Sequence, residues 1–302
     1  TSPLSTGLTG LPWPEPSTLR ADHRPMDLGV TLHLTDRSID VRDLAVEAEA
    51  RGFSSLWVPE HTHIPTSRDT PAPSVAEDPE VYPRSPDPWV SLAAAASVTD
   101  RIRLGSGVSL VAQHDPLILA KVVASVDALS AGRVSMGVGY GWNREEMAHH
   151  GVDYATRRAR VREHVLAMQA LWAHDEAEFH GEFVDFSSSW SWPKPVQRPG
   201  PAVLVGGAAG PRLFDHVAEF ADGWMPIGGA GVRAALANLE DACHRHGRDP
   251  AGVAVVPFGT IADEGKLDYY AGLGIDEVVL RLPSAGRDVV MTALDGLTRF
   301  LT

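Results

Sequence analysis

The stretch DRIRLGSGVSLVAQHDPLILAKVVASVDALSAGRVSMGVGYGWNREE, residues 100–146, decides the fold. Two short apolar runs, at 102–111 and at Val134–Val138, flank a helix pattern over Pro116–Leu129. The helix pattern is amphipathic, and a crossover of this length joins strands that run parallel. The stretch therefore predicts a strand–helix–strand unit of a parallel sheet.

The same alternation continues on both sides of this unit. Eight strand–helix pairs are found, and the predicted strands cover 27–34, 54–58, 102–111, 134–138, 202–205, 223–227, 253–260 and 277–282. Most of these runs are apolar throughout, as the strands of a closed parallel barrel are. We therefore predict an α/β fold, a (β/α)8 TIM barrel with insertions after strand 2 and before strand 5. A doubly wound open sheet is the alternative, but no GxGxxG loop follows the first strand.

The two insertions are long. A proline-rich segment, 59–88, follows the second strand, and the phenylalanines of the segment 179–201 alternate as in a hairpin. Long loops of this kind carry specificity in barrel enzymes, so we expect these segments to select the substrate.

Composition limits the classes of function. A chain of 302 residues with 44% hydrophobic residues suits one barrel, so we predict an irregular arm over 1–25 and a single domain over 26–302. The net charge of −13 argues against nucleic acid and anionic membrane as partners. No apolar run is long enough to span a membrane. The single cysteine, Cys243, fits a reducing cytoplasm and is expected to be a buried structural thiol.

Polar residues and glycines gather where the predicted strands end, which is where barrel enzymes place their chemistry. They are Glu60 and His61 after strand 2, Ser109, Gln113 and His114 near strand 3, Gly139 to Asn143 after strand 4, and Gly206 to Gly210 after strand 5. In VGGAAGPRLF, two glycines end a strand and Pro211 opens a helix, whose free N–H groups suit a phosphate. A tight turn that needs glycine for its geometry alone explains the same pattern.

Glu60 and His61 are the candidate catalytic residues. Adjacent residues at a strand end point in different directions, so one can hold a cofactor while the other faces substrate. Histidine suits proton transfer because it titrates near neutral pH. The alternative is a structural loop histidine.

The motifs LGSGV, QHDPLILAKVVASVDALSAGR and GVGYGWNREE resemble the bacterial luciferase-like superfamily, especially its deazaflavin-dependent branch. The resemblance implies a barrel that binds coenzyme F420 at the strand ends and often forms a homodimer. It implies that His61 moves a proton while Glu60 orients the cofactor or the imidazole. It also implies a cis peptide bond between Gly107 and Val108, where an ordinary trans bulge is the alternative.

The resemblance further assigns a cofactor site to Gly107, Val108, Gly139, Asn143, Gly206, Gly207 and Ala208. Trp142 is either part of this site or a packing residue. Glu145 and Glu146 open a helix, where carboxylates are favourable whatever their function. The basic run Arg157, Arg158, Arg160 and Arg162 either meets the acidic tail of the cofactor or forms a solvated helix face.

The function predicted is hydride transfer between F420 and a small organic substrate. An FMN-dependent monooxygenase shares the fold and most of the motifs, although the acidic residue before His61 and the following HIP sequence favour the deazaflavin. The pair His61 and His63 raises a metal-dependent barrel hydrolase as a further alternative, but we expect no metal. A non-catalytic cofactor-binding protein is the last alternative, and the presence of Glu60 and His61 argues against it.

Overall fold

A computed structural model describes residues 26–73, 79–229 and 231–301, so the predicted arm over 1–25 lies outside the described residues. The strands are β1 (Asp27–Thr31), β2 (Ser55–Val58), β3 (Arg103–Ser109), β4 (Val134–Val138), β5 (Glu176–His180), β6 (Asp185–Trp190), β7 (Ala202–Gly206), β8 (Gly223–Met225), β9 (Ala254–Val255), β10 (Phe258–Thr260) and β11 (Glu277–Arg281). The α-helices are α1 (Val41–Arg51), α2 (Pro88–Ala96), α3 (Pro116–Leu129), α4 (Arg144–His149), α5 (Arg157–Ala173), α6 (Pro211–Phe220), α7 (Val232–Arg245), α8 (Glu264–Ala271) and α9 (Arg287–Leu297).

All strands except β5 and β6 form one parallel sheet in the order β10-β11-β1-β2-β3-β4-β7-β8-β9. β9 and β10 lie at opposite ends of that order, but they are consecutive in the chain and together form the seventh barrel strand. This strand pairs with β8 on one side and with β11 on the other. The N–H of Val256 donates to the carbonyl of Trp224 on β8, and the N–H of Val279 on β11 donates to the carbonyl of Pro257. The sheet therefore closes, and the predicted (β/α)8 barrel is confirmed.

The seventh strand departs from its predicted form, which was continuous over 253–260. Pro257 lies at the break between β9 and β10. Proline has no N–H to give to a neighbouring strand, which is why it interrupts a sheet ladder. The predicted third strand is also shorter than 102–111, because the chain turns into a 3-10 helix at Val111–Gln113.

The two insertions have local structure of their own. β5 and β6 pair antiparallel, so the hairpin predicted for the second insertion is confirmed. A 3-10 helix, Pro79–Arg84, lies within the first insertion. In the described part of the chain, no helix has the length and apolarity to cross a membrane.

Helices α2 and α3 begin in the same way after the second and third barrel strands. The carboxylates of Asp87 and Asp115 cap them by accepting first-turn N–H groups, and a proline occupies the first helical position in both. The helices pack on the outside of the sheet in one large core, which includes the buried Cys243. Burial raises the pKa of the Cys243 thiol, as expected for a structural residue.

A smaller apolar cluster is separate from that core and contains residues of the barrel strands. Its members are Trp57, Leu204, Met225, Val256, Phe258 and Val279, with Val108 packed against them. A filled interior of this kind is typical of a TIM barrel and leaves the chemistry to the strand ends.

Candidate active site

His61 follows β2 and is held by a carboxylate on α4, the helix that follows β4 two strands away in the sheet. Its Nδ1 lies 2.8 Å from Oε2 of Glu146 on α4. Because an ionised carboxylate only accepts hydrogen bonds, Nδ1 carries the proton and Nε2 is left as the basic atom. Glu146 also accepts the backbone N–H of Thr62 at 3.0 Å, so one carboxylate fixes both the imidazole and the loop that carries it.

Two aromatic rings pack against the His61 imidazole, and a third packs against one of them. The ring centroids of Tyr82 and Trp142 lie 5.0 and 5.4 Å from that of His61. Trp142 donates from Nε1 to Nε2 of His61 at 3.3 Å, a long and therefore weak bond. His33, after β1, packs edge-on against Tyr82, and burial together with the charges of His61 and Arg281 lowers the pKa of His33 to about 4. His61 is only 8% exposed, and the indole of Trp142 lies against its Nε2.

Glu60 faces away from His61 and binds the end of β3. Its Oε2 accepts from Oγ of Ser109 at 2.7 Å and from N–H of Leu110 at 2.6 Å, and its Oε1 lies 2.6 Å from Nε2 of His114. Burial raises the pKa of Glu60, but these hydrogen bonds and the His114 charge outweigh it and lower the pKa overall. The imidazole that Glu60 holds is therefore that of His114, and the carboxylate that holds His61 is Glu146.

The peptide bond between Gly107 and Val108 is cis, as the resemblance implied. The pairing of β3 with β4 shifts register between Ser106 and Ser109, which places a bulge at this bond. The side chain of Val108 points between two of the predicted cofactor glycines. A Cβ on Gly139 would lie 2.3 Å from Cγ2 of Val108, and a Cβ on Gly206 would lie 2.8 Å from Cγ1. These glycines are required by Val108, whatever else binds above them.

The glycine turn after β7 leads to an open helix start. Gly207 has φ +149°, a conformation that side chains disfavour, and Ala208 is exposed. Pro211 opens α6, Gly210 gives no side-chain cap, and the first turn has no acidic residue. The first-turn N–H groups therefore remain available to an anion, together with the positive end of the helix dipole.

Two further polar side chains lie at this end of the barrel. Asn143 is buried and accepts the N–H of Glu146 through Oδ1 at 2.9 Å, which makes it the cap of α4. Both amide atoms of Gln113 are buried and have no partner among the described residues. A buried amide with no partner indicates a position where a ligand or water binds.

The histidine pair that suggested a metal site does not converge. His61 bonds to Glu146, whereas His63 bonds to Thr62 and His149 at the surface. Within residues 26–73, 79–229 and 231–301, no three His, Cys, Asp or Glu side chains are arranged to hold a metal ion.

Sequence comparison identifies the family. The profile of the luciferase-like monooxygenase family matches residues 23–263, and the chain belongs to this family. An uncharacterized protein of Mycobacterium tuberculosis is 43% identical over 267 residues, which cover 87% of this chain and 94% of that protein. The F420-dependent glucose-6-phosphate dehydrogenase of Kineococcus radiotolerans is 29% identical over 194 residues, which cover 63% of this chain and 52% of that enzyme.

Solved structures share the fold at low sequence identity. The monooxygenase RslO1 from Streptomyces bottropensis has a TM-score of 0.74 at 22% identity, with 91% of this chain and 98% of that one covered. An F420-dependent secondary alcohol dehydrogenase with an F420–acetone adduct has a TM-score of 0.72 at 18% identity, with 92% and 98% covered. The oxygenating component of a Pseudomonas putida 3,6-diketocamphane monooxygenase, in complex with FMN, has a TM-score of 0.62 at 21% identity, with 82% and 74% covered.

Proposed function

We propose that the protein is an F420-dependent oxidoreductase that transfers a hydride between the deazaflavin and a small organic substrate. The observation that carries the proposal is the His61–Glu146 pair at the carboxyl end of β2, next to the bulge at Val108 near the end of the neighbouring strand β3. The His61–Glu146 pair supplies a proton acceptor, and the bulge supplies a backbone surface for the cofactor ring. Relatives named for F420 support the choice of cofactor.

The residues at the mouth fit such a cofactor. The α6 start, with no side-chain cap and no acidic residue in its first turn, suits its phosphate. The unpartnered amide of Gln113 provides both a donor and an acceptor for a polar ring edge. The bulge at Val108, between Gly139 and Gly206, would lie under the ring. When bound, F420 supplies a carbon, C5, that accepts or donates a hydride.

His61 handles the proton that accompanies the hydride. Glu146 keeps Nδ1 protonated, so Nε2 is the atom that takes a proton from a substrate hydroxyl and returns one in the reverse direction. The negative charge of Glu146 stabilises the imidazolium that forms. Trp142 and Tyr82 provide an apolar wall around this atom, and their displacement opens the way to it.

An FMN-dependent monooxygenase is the second candidate, because an FMN complex is among the structures with this fold. Calorimetric titration of the protein with F420 and, separately, with FMN distinguishes the two. We expect F420 to bind and FMN to bind far more weakly. Tight FMN binding without F420 binding would overturn the proposal in favour of the monooxygenase, and binding of neither would remove both cofactors.

We also propose a homodimer. Adjacent helices α2 and α3 expose the apolar side chains of Val90 and Ile118, and Trp190 and Trp192 of the second insertion are exposed as well. Exposed apolar surface of this kind favours association. Sedimentation equilibrium measures the mass directly, and a monomer at all accessible concentrations would contradict the proposal.

A further inference from the structure

Three histidines connect the segment after β2 to the end of α4. Nε2 of His63 lies 2.8 Å from Nδ1 of His149, the separation of a hydrogen bond. Nε2 of His150 lies 2.7 Å from Oγ1 of Thr62, and Nδ1 of His63 lies 2.9 Å from the same hydroxyl oxygen. We call these four side chains the histidine latch, because they join two segments that are distant in the chain.

The histidine latch lies directly beside the candidate active site. Thr62 follows His61 in the chain, and its N–H donates to Oε1 of Glu146 at 3.0 Å. Oε2 of the same carboxylate holds Nδ1 of His61. His149 and His150 come about one helical turn after Glu146. A movement of the latch therefore moves the carboxylate relative to the imidazole that it holds.

The latch closes with neutral histidines. A neutral imidazole has one N–H and one nitrogen that accepts, and a hydroxyl has one proton. If each histidine carries its proton on Nε2, His150 donates to Thr62 and Thr62 donates to Nδ1 of His63. His63 in turn donates from Nε2 to Nδ1 of His149. Each of these contacts then joins one donor to one acceptor.

Protonation of the histidines removes this match. A protonated histidine has an N–H on both ring nitrogens and accepts no hydrogen bond. When His63 and His149 are both protonated, two N–H groups face each other across 2.8 Å, and the contact becomes repulsive. The ring centroid of His63 lies 5.1 Å from that of His149 and 5.6 Å from that of His150, so the positive charges also repel one another.

The groups around the latch determine the pH at which it opens. Burial, followed by the charge of His63, lowers the pKa of His150. The charge of His114 acts in the same direction, whereas the carboxylates of Glu146 and Glu60 act against it. Because the pKa of His150 is lowered in the closed latch, closure is favoured above about pH 6.5 and loses this advantage as the pH falls through the lowered value.

We propose that the histidine latch is a pH-sensitive switch, which holds the segment after β2 on α4 at neutral pH and releases it in acid. Release separates the carboxylate of Glu146 from Nδ1 of His61, so the site loses the alignment of its proton acceptor. Histidine side chains take up their second proton in the range of about pH 5–8, which places the switch near physiological pH. The inference goes beyond the proposed function, because it concerns the polypeptide alone and needs no cofactor for its test.

Hydrogen–deuterium exchange followed by mass spectrometry tests the switch on the protein without cofactor. Exchange is measured in a peptide that contains the N–H of Thr62, which the closed latch keeps bonded to Glu146. The measurement is made at about pH 7.5 and about pH 5.5, on either side of the ordinary pKa of histidine. The rates are corrected for the chemical dependence of amide exchange on pH.

Two variants remove the charge from opposite sides of the latch. His149→Gln/His150→Gln places amides on α4 that are uncharged and can donate or accept at either pH. His63→Gln does the same on the segment after β2. His244→Gln is the matched control, because His244 is an exposed histidine of α7 outside the latch. Circular dichroism checks that each variant is folded at both pH values.

We expect the protection of the Thr62 amide to fall about tenfold at the lower pH in the wild type and in His244→Gln, the factor that corresponds to one pKa unit of coupling. In His149→Gln/His150→Gln and in His63→Gln, protection should change less than about twofold. Equal protection of the wild type at both pH values, or an equal fall in the wild type and the variants, would overturn the inference. Because exchange is measured without F420, a failure of F420 to bind would overturn the proposed function alone.

Discussion

The two ends of the barrel differ in how their polar and charged groups are hydrogen-bonded. At the amino ends of the strands, the carboxylate of Glu49 accepts the N–H groups of Asp100, Arg101 and Ile102. Nearby, the guanidinium of Arg133 donates to the carbonyls of Ala96, Thr99, Ile102 and Ser130. These groups bind the ends of helices and strands to one another.

At the carboxyl ends, several groups have no such partner. Among the described residues, the buried amide of Gln113 has no hydrogen-bond partner and the start of α6 has no side-chain cap. Since unsatisfied groups cost stability, they persist where a ligand satisfies them. The amino end of the barrel therefore maintains the fold, while the carboxyl end is prepared for a ligand. Changes at each end should separate stability from function accordingly.

The largest effect is expected from His61→Ala. Loss of the proton acceptor should lower turnover with F420 by about 10²–10³-fold, because general acid–base groups contribute on this scale. F420 affinity should stay within about twofold of the wild type, since the phosphate position at the start of α6 and the bulge at Val108 are unchanged. Steady-state kinetics on a substrate found by screening small alcohols and carbonyl compounds, together with calorimetry, give both values. Unchanged turnover would exclude the proton-transfer role.

Arg133→Met tests the amino end. It removes the hydrogen bonds to four carbonyls and should lower the free energy of unfolding by about 1–3 kcal/mol. Urea denaturation measures the loss, and F420 affinity of the folded variant should equal that of the wild type. Weaker F420 binding by Arg133→Met without any loss in the free energy of unfolding would contradict the assignment of the amino end to fold stability.

Glu146→Gln tests how His61 is held. The amide cannot carry the charge that supports the imidazolium, so the turnover number should fall about tenfold while the KM for F420 changes little. Glu146→Asp, which keeps the charge, should recover part of the turnover. If the two variants lose turnover equally, the charge of Glu146 has no role beyond packing.

Gly139→Ala tests the contact between this glycine and Val108. The added Cβ would lie 2.3 Å from Cγ2 of Val108, so the bulge must shift, with a loss of about 1–3 kcal/mol in unfolding free energy. F420 should also bind more weakly. Gly296→Ala on α9, where an added Cβ meets nothing, is the control and should leave F420 affinity unchanged. Equal behaviour of the two variants would refute the packing argument.

The smallest effect concerns the Glu60–His114 pair and its dependence on pH. The hydrogen bonds that lower the pKa of Glu60 give stability present above about pH 4.5 and lost as the pH falls through its folded pKa. Glu60 raises the pKa of His114 against the effect of burial, which gives stability present below about pH 6.5 and lost as the pH rises further. The stability difference between wild type and His114→Gln should therefore be largest between these values, by about 1 kcal/mol. A difference independent of pH in urea titrations would exclude the ion pair.

Much of the fold was predictable from the chain, because the alternation of apolar strands and amphipathic helices reports directly on a parallel barrel. The hairpin at 176–190 was visible in its alternating phenylalanines. The break at Pro257 could have been predicted too, since a proline inside a strand removes a ladder donor. The site was less predictable. The cis Gly107–Val108 bond was anticipated through resemblance, but which side chains meet at the strand ends was not.

Glu146 shows why. A carboxylate in the first turn of a helix has an ordinary explanation in the helix dipole, and no local pattern indicates that it binds a histidine 85 residues earlier. The partner of Glu60 was missed for the same reason, because it depends on the turn of the chain after β3. Contacts between the segments that follow neighbouring strands depend on tertiary packing, which a single sequence does not display.

A crystal structure of the protein with F420 tests the central claim most directly. We predict the deazaflavin ring at the carboxyl ends of the strands, against the Gly107–Val108 bulge and next to His61, with the phosphate at the start of α6. F420 bound away from the strand ends, or with its ring remote from both Val108 and His61, would contradict the account.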